Sequence, residues 1–230
     1  MKLTISPKRI TYWLFVIVVA LNLFGFMARG IERLLGYNDT EFVRLFDVSE
    51  EANITAWFSS LLLLISAALL SVIAMTKSAS AKPYSRHWGL LSVIFLYLSL
   101  DEAAKIHEIT IKPLRALFNA SGIFYYAWVI IAIPFILLLG FVFMRFVFDL
   151  PSRTRTQFVL AGVIFLTGAL GFEMLGGYFL EKLVGGLSIN PILVTFEEFF
   201  ENIGIVIFIS ALLTYMKSHS DTKDISFELT

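Results

Sequence analysis

The chain has 230 residues, 58% of them hydrophobic, and a mean hydropathy of +0.81. No soluble core of that length hides so much apolar surface, whereas a bilayer solvates it, so an ordinary soluble domain is excluded. Eighteen basic residues balance eighteen acidic ones, which removes any charge argument for a nucleic-acid partner, and the lack of cysteine rules out disulfides and thiolate chemistry.

The first apolar run, Ile10 to Met27, follows Lys2, Lys8 and Arg9. It is longer than a signal-peptide core and no small-x-small cleavage pattern follows it, so it reads as a retained first span. A span requires about 20 mostly apolar residues. Six segments qualify: 10–28, 54–75, 88–110, 123–147, 157–180 and 191–215. Between the first two, Glu32 to Glu51 mixes charges with Leu34, Leu35, Phe42, Val43, Leu45 and Phe46, the pattern of a short amphipathic surface helix. The third segment is predicted as one continuous helix whose apolar part ends at Leu100 and whose charged continuation runs from Asp101 to Glu108. Pro134 is expected to kink the fourth. Residues 217–230 read as a polar tail without fixed structure. The expected fold is therefore an all-α membrane bundle of six transmembrane helices.

Lys and Arg in the loops set the orientation. Eleven of the eighteen fall on the side that holds both termini and seven on the other, which places both termini in the cytoplasm and the chain in a cell membrane, in the manner of a bacterial inner-membrane protein. Three glycosylation sequons, at Asn38, Asn53 and Asn119, fall on the outer side. Trp13, Trp57, Trp88 and Trp128 suit interfacial anchors, and Asn22 suits a hydrogen bond to a neighbouring helix.

Ionisable groups inside spans cost about 2.5–3.5 kcal/mol each on insertion scales, so they mark pairing, water or binding. The candidates are Asp101, Glu102, His107 and Glu108 in the third span, Glu173 in the fifth, and Glu197, Glu198 and Glu201 in the sixth. At a rise of 1.5 Å per residue, all of them fall at overlapping depths in the outer half of the bilayer. On a straight third helix, Tyr97, Asp101, Lys105, Glu108 and Lys112 form one stripe, with Glu102 and His107 on other sides; a plain ion-pair ladder accounts for that stripe equally well. Glu173 is flanked at helical spacing by Ala169, Gly176 and Gly177, which allow a neighbouring helix to come close.

Carboxyl groups packed together in a low dielectric must share protons, recruit basic partners or bind a cation. The oxygen-rich donor set, with one imidazole, suits Ca²⁺, Mg²⁺, Mn²⁺ or iron. A carboxylate-bridged di-iron site is disfavoured because no Glu stands three residues before His107, and zinc because only one histidine is near. Three readings follow. One is a cation or proton site in a small transporter, exchanger or sensor. The second is a membrane-embedded metal-dependent enzyme acting on a lipid or other hydrophobic small molecule. The third is a non-catalytic accessory or assembly protein whose charges meet a membrane partner or a second copy. The inner half of the spans holds no ionisable residue, which argues against simple transport.

Overall fold

The computed structural model describes residues 2–35, 41–47, 53–79, 83–182, 190–219 and 225–228. Strand β1 (Lys2–Ile5) leads into α1 (Pro7–Leu35), the short α2 (Glu41–Phe46), α3 (Ile54–Ala79), α4 (Ser85–Ala104) and α5 (Ile106–Phe118). After a 3-10 turn (Gly122–Phe124) come α6 (Val129–Phe148), α7 (Ser152–Leu166), a π-helical segment (Thr167–Phe172), α8 (Glu173–Lys182), α9 (Asn190–His219) and β2 (Ile225–Glu228).

Among the described residues, five helical stretches are long and apolar enough to cross a membrane: Pro7–Ala28, Ile54–Ala79, Val129–Phe148, Ser152–Lys182 and Pro191–Ser218. Five of the six predicted segments meet that criterion. The segment that drops out is the third, because charges crowd its far end. It is nevertheless helical and runs antiparallel to α3. Ser60 and Ser99 exchange hydroxyl-to-carbonyl bonds of 2.8 and 2.9 Å, and Ser92 donates to the Ala67 carbonyl at 2.8 Å while meeting Ser71 at 2.9 Å. Small residues let the two backbones approach, and the hydroxyls supply the glue that apolar contact cannot provide in lipid.

Helix α9 is the axis of the bundle, touching α1, α3, α7, the π segment and α8. Its buried residues feed two cores. Ile205, Val206, Ile209 and Leu213 pack with Val18, Phe58, Leu62 and Leu63. Phe208, Ala211, Leu212 and Tyr215 pack with Leu70, Trp88, Phe146 and Phe158. Trp88 is therefore no interfacial anchor: it is 1% exposed and lies edge-on to Phe146 and Phe158. Trp13 and Trp57, at 56% and 64% exposed, lie outside both cores.

The ends also depart from expectation. The tail was expected to lack structure, yet Ile225–Glu228 pairs antiparallel with Lys2–Ile5, so both chain ends meet at one end of the bundle. The stretch from Glu32 to Glu51 is split: α1 continues to Leu35, and α2 folds back so that Phe46 meets Phe24, while residues 36–40, with the sequon at Asn38, and residues 48–52 lie outside the described residues. Asn53 is buried and accepts the Ala56 N–H at 2.8 Å, so it caps α3 and does not present a sequon. Asn22 donates to Val18 of its own helix, not to a neighbour. Pro134 sits inside α6, which stays helical through it.

Candidate functional site

The site lies at the end of the bundle opposite the paired strands, and its first element is a helix break. Lys105 takes a left-handed conformation (φ 49, ψ 45) and separates α4 from α5. A non-glycine residue there is strained, by about 1–2 kcal/mol. Asp101 compensates. Its Oδ1 accepts the His107 backbone N–H at 2.9 Å, and its Oδ2 meets His107 Nδ1 at 2.6 Å. The continuous helix predicted over 88–110 is thereby corrected. The four-residue ladder of Asp101, Lys105, Glu108 and Lys112 does not form. Lys105 pairs instead with Glu108 at 3.1 Å, and Asp101 turns to His107, which a straight helix would have carried to another side. Glu108 is half-exposed in that pair and stands at the rim of the site.

The second element is the indole of Trp128, expected as an anchor. Its ring centroid lies 4.9 Å from that of His107, and its Nε1–H donates to Glu173 Oε1 at 3.0 Å. Glu173 is the first residue of α8, directly after the π segment. A π segment widens a helix by one residue and so re-aims the side chains that follow; such segments recur at functional sites.

The third element is the contact of this segment with α9. A Cβ on Gly168 would lie 2.7 Å from Glu201 Cγ, 2.8 Å from the Glu197 carbonyl and 2.9 Å from the Glu201 nitrogen. Gly204 of α9 returns the contact, since a Cβ there would lie 2.8–2.9 Å from the backbone of Phe165 and Ala161. The glycines that bring α9 close are thus Gly168 and Gly204. Gly177, expected in that role, packs on Tyr125 and Tyr126. The close approach brings the Glu197 carboxyl beside that of Glu173. Glu201 lies within electrostatic reach of Glu102, Glu198, Glu173 and Asp101, and Glu198 within reach of Glu102 and Lys105. Glu102 looks toward the Ser59 hydroxyl of α3, a helix that sequence reasoning had not assigned to the site. Three buried oxygens at the site, Ser59 Oγ, Glu198 Oε2 and Asn202 Oδ1, have no hydrogen-bond partner among the described residues.

The predicted site residues of α4, α5, α8 and α9 therefore share one end of the bundle. Among the described residues no three His, Asp or Glu side chains group closely enough to hold a metal ion. The missed contributors carried weak signals. Trp128 looks like any interfacial tryptophan, Gly168 like any small helical residue, and a π segment has no sequence signature.

Apolar helices of spanning length around a central helix define an integral membrane protein of the helical-bundle class. The chain belongs to the family described as domain of unknown function DUF8692, whose sequence model matches residues 11–216, from α1 to the end of α9. No curated protein and no solved structure matches it.

Proposed function

We infer that this integral membrane protein carries a proton-sharing carboxyl site, served from one face of the membrane, and works as a small proton-responsive sensor. The observation that carries this reading is the nearness of the Glu173 and Glu197 carboxyl groups: two carboxyls side by side in a low dielectric do not both stay ionised, so one holds a proton. The Trp128 N–H on the other side of Glu173 holds the pair in place. Charge balance supports it. Asp101, Glu102, Glu173, Glu197, Glu198 and Glu201 face one imidazole, and the nearest ammonium, Lys105, is already paired with Glu108. Such an imbalance in a low dielectric is relieved by protons or by a bound cation.

Access favours a sensor over a transporter or exchanger. Beyond the carboxyl groups α9 presents only apolar or small residues from Ile205 to Leu213, packed against α1, α3 and α7, so this stretch of α9 offers no ionisable group to carry a proton on toward the paired strands. At the other face, the break at Lys105 and the part-exposed His107 give protons an entrance. We take α4 as a sixth span. Its antiparallel run along α3 and the pairing of β1 with β2 support an even number of crossings. The Lys and Arg bias then puts both termini in the cytoplasm and the site in the outer half of the bilayer.

Infrared difference spectroscopy of the reconstituted full chain tests this reading. A protonated-carboxyl band is expected, reduced in Glu173→Gln and in Glu197→Gln while both variants stay folded, because glutamine mimics the neutral acid. No such band at about pH 6, well above the usual carboxylate range, would overturn it. Elemental analysis of the same samples separates the cation alternative: a stoichiometric divalent metal, lost in both variants, would replace the proton reading.

A further inference from the structure

The end of the bundle that holds the paired strands contains a second polar feature, unconnected to the carboxyl site. A cavity of about 330 Å³ opens between the end of α3, the start of α4, the α6–α7 turn and the end of α9. Trp88, Phe146 and Tyr215 form its walls, and Lys77, Tyr84 and Asp149 its rim. The wall rings lock one another, with Trp88 centroids 5.0 Å from Phe146 and 4.9 Å from Tyr215, so the hollow is preformed.

Each rim residue is held in an unusual state. Lys77 places its ammonium 5.4 Å from the Tyr215 ring centroid, and among the described residues no acid pairs with it. Tyr84 has left-handed backbone (φ 67), rare for an aromatic residue, and donates its hydroxyl to Asp149 Oδ2. Backbone strain of this kind concentrates at ligand clamps. Depth gives the last constraint. Lys77 is in the last turn of one candidate span, and Asp149 directly follows another, Val129–Phe148. The rim therefore lies where apolar helix meets the headgroup layer.

We propose that this cavity binds a phosphate ester carrying an ammonium group, the chemistry of an ethanolamine-type headgroup. Lys77 takes the phosphate as a charge-assisted donor. Asp149, whose carboxylate retains free lone pairs beside the Tyr84 bond, takes the ammonium, and the aromatic walls add cation–π attraction. The volume is at the small end of ligand pockets, about 300–1,000 Å³, which fits a headgroup and not an acyl chain. A purely anionic ligand would meet the charge of Asp149, and a purely cationic one would meet that of Lys77.

The test is native mass spectrometry of the full chain released from nanodiscs containing equal phosphatidylethanolamine and phosphatidylglycerol. One phosphatidylethanolamine is expected to stay bound in preference to phosphatidylglycerol. Lys77→Met, which keeps the stem over Tyr215, and Asp149→Asn are each expected to weaken retention about ten-fold or more, the scale of one charged hydrogen bond. Soluble phosphoethanolamine separates the sources. If it displaces the lipid, the headgroup alone is the ligand; if it does not, the ligand is the membrane-anchored lipid, and either result upholds the site. Equal retention of the two lipids by the unaltered protein would overturn the proposal without recourse to any variant. So would unchanged selectivity in both folded variants.

Discussion

Gly168→Ala tests how α9 is brought to the carboxyl site. Two effects of opposite sign compete. Replacing an interior helical glycine with alanine gains up to about 1 kcal/mol in propensity. Against this, the new Cβ would stand 2.8 Å from the Glu197 carbonyl and 2.9 Å from the Glu201 nitrogen, both backbone atoms that cannot swing aside. Ordinary contact begins at 3.4 Å, so 3.4 − 2.8 requires α9 to yield by 0.6 Å. Overpacking of this kind costs about 1–3 kcal/mol, so the clash wins. A net loss of about 1–2 kcal/mol lowers the melting temperature by about 2–8 °C for a domain of this size. Gly162→Ala is the matched control: it lies one and a half turns earlier in α7, its position is exposed, and its added Cβ meets nothing within 4 Å. It is expected to be neutral or slightly stabilising. The assay is thermal unfolding of both variants in the same detergent. A Gly168→Ala melting temperature equal to or above that of the unaltered protein would refute the argument that backbone contact at Gly168 sets the spacing of Glu173 and Glu197.

Trp128→Phe keeps a ring against His107 but removes the N–H that serves Glu173. Leaving that part-buried acceptor unserved is expected to cost about 1–3 kcal/mol in the same melting assay, and no loss would show the bond to be dispensable. Reporter fusions after residues 79 and 217 are expected on one side of the membrane and a fusion after 119 on the other; a shared side for 79 and 119 would remove α4 as a span. For Tyr84, the hydrogen bond to Asp149 raises the phenol above its usual range near 10, reinforced by the charge of that carboxylate. The folded value exceeds the unfolded one, so the stabilisation is full below the unfolded value and disappears as pH rises through the folded value. Phenolate absorbance of the protein, less that of Tyr84→Phe, is expected to show a late titration that Asp149→Asn moves earlier; coincident curves would show that the bond does not hold the proton.

Composition alone determined the class. With 58% apolar residues in stretches of span length, the chain has no soluble solution, and the helical segments fell close to their predicted places because every backbone polar group in lipid must be satisfied within its own segment. The same economics flagged the site residues, since a carboxyl inside an apolar run is conspicuous whatever its neighbours. Geometry between segments was another matter. Periodicity assumes a regular helix, and the structure departs from one twice, at the left-handed Lys105 and in the π segment before Glu173. Asp101 reaches across the break to His107, and Trp128, bonded to Glu173, stands against that imidazole. Gly168 became a contact only once α9 lay against it. Likewise an indole near a span end fits the interface or the core equally well, and for Trp88 only the packing of Phe146, Phe158 and Tyr215 around it decides for the core. The sequence thus specified which groups were costly to bury. Which partners relieve that cost depended on close approaches between helices, and these rest on small residues and local helix irregularities that leave no periodic trace.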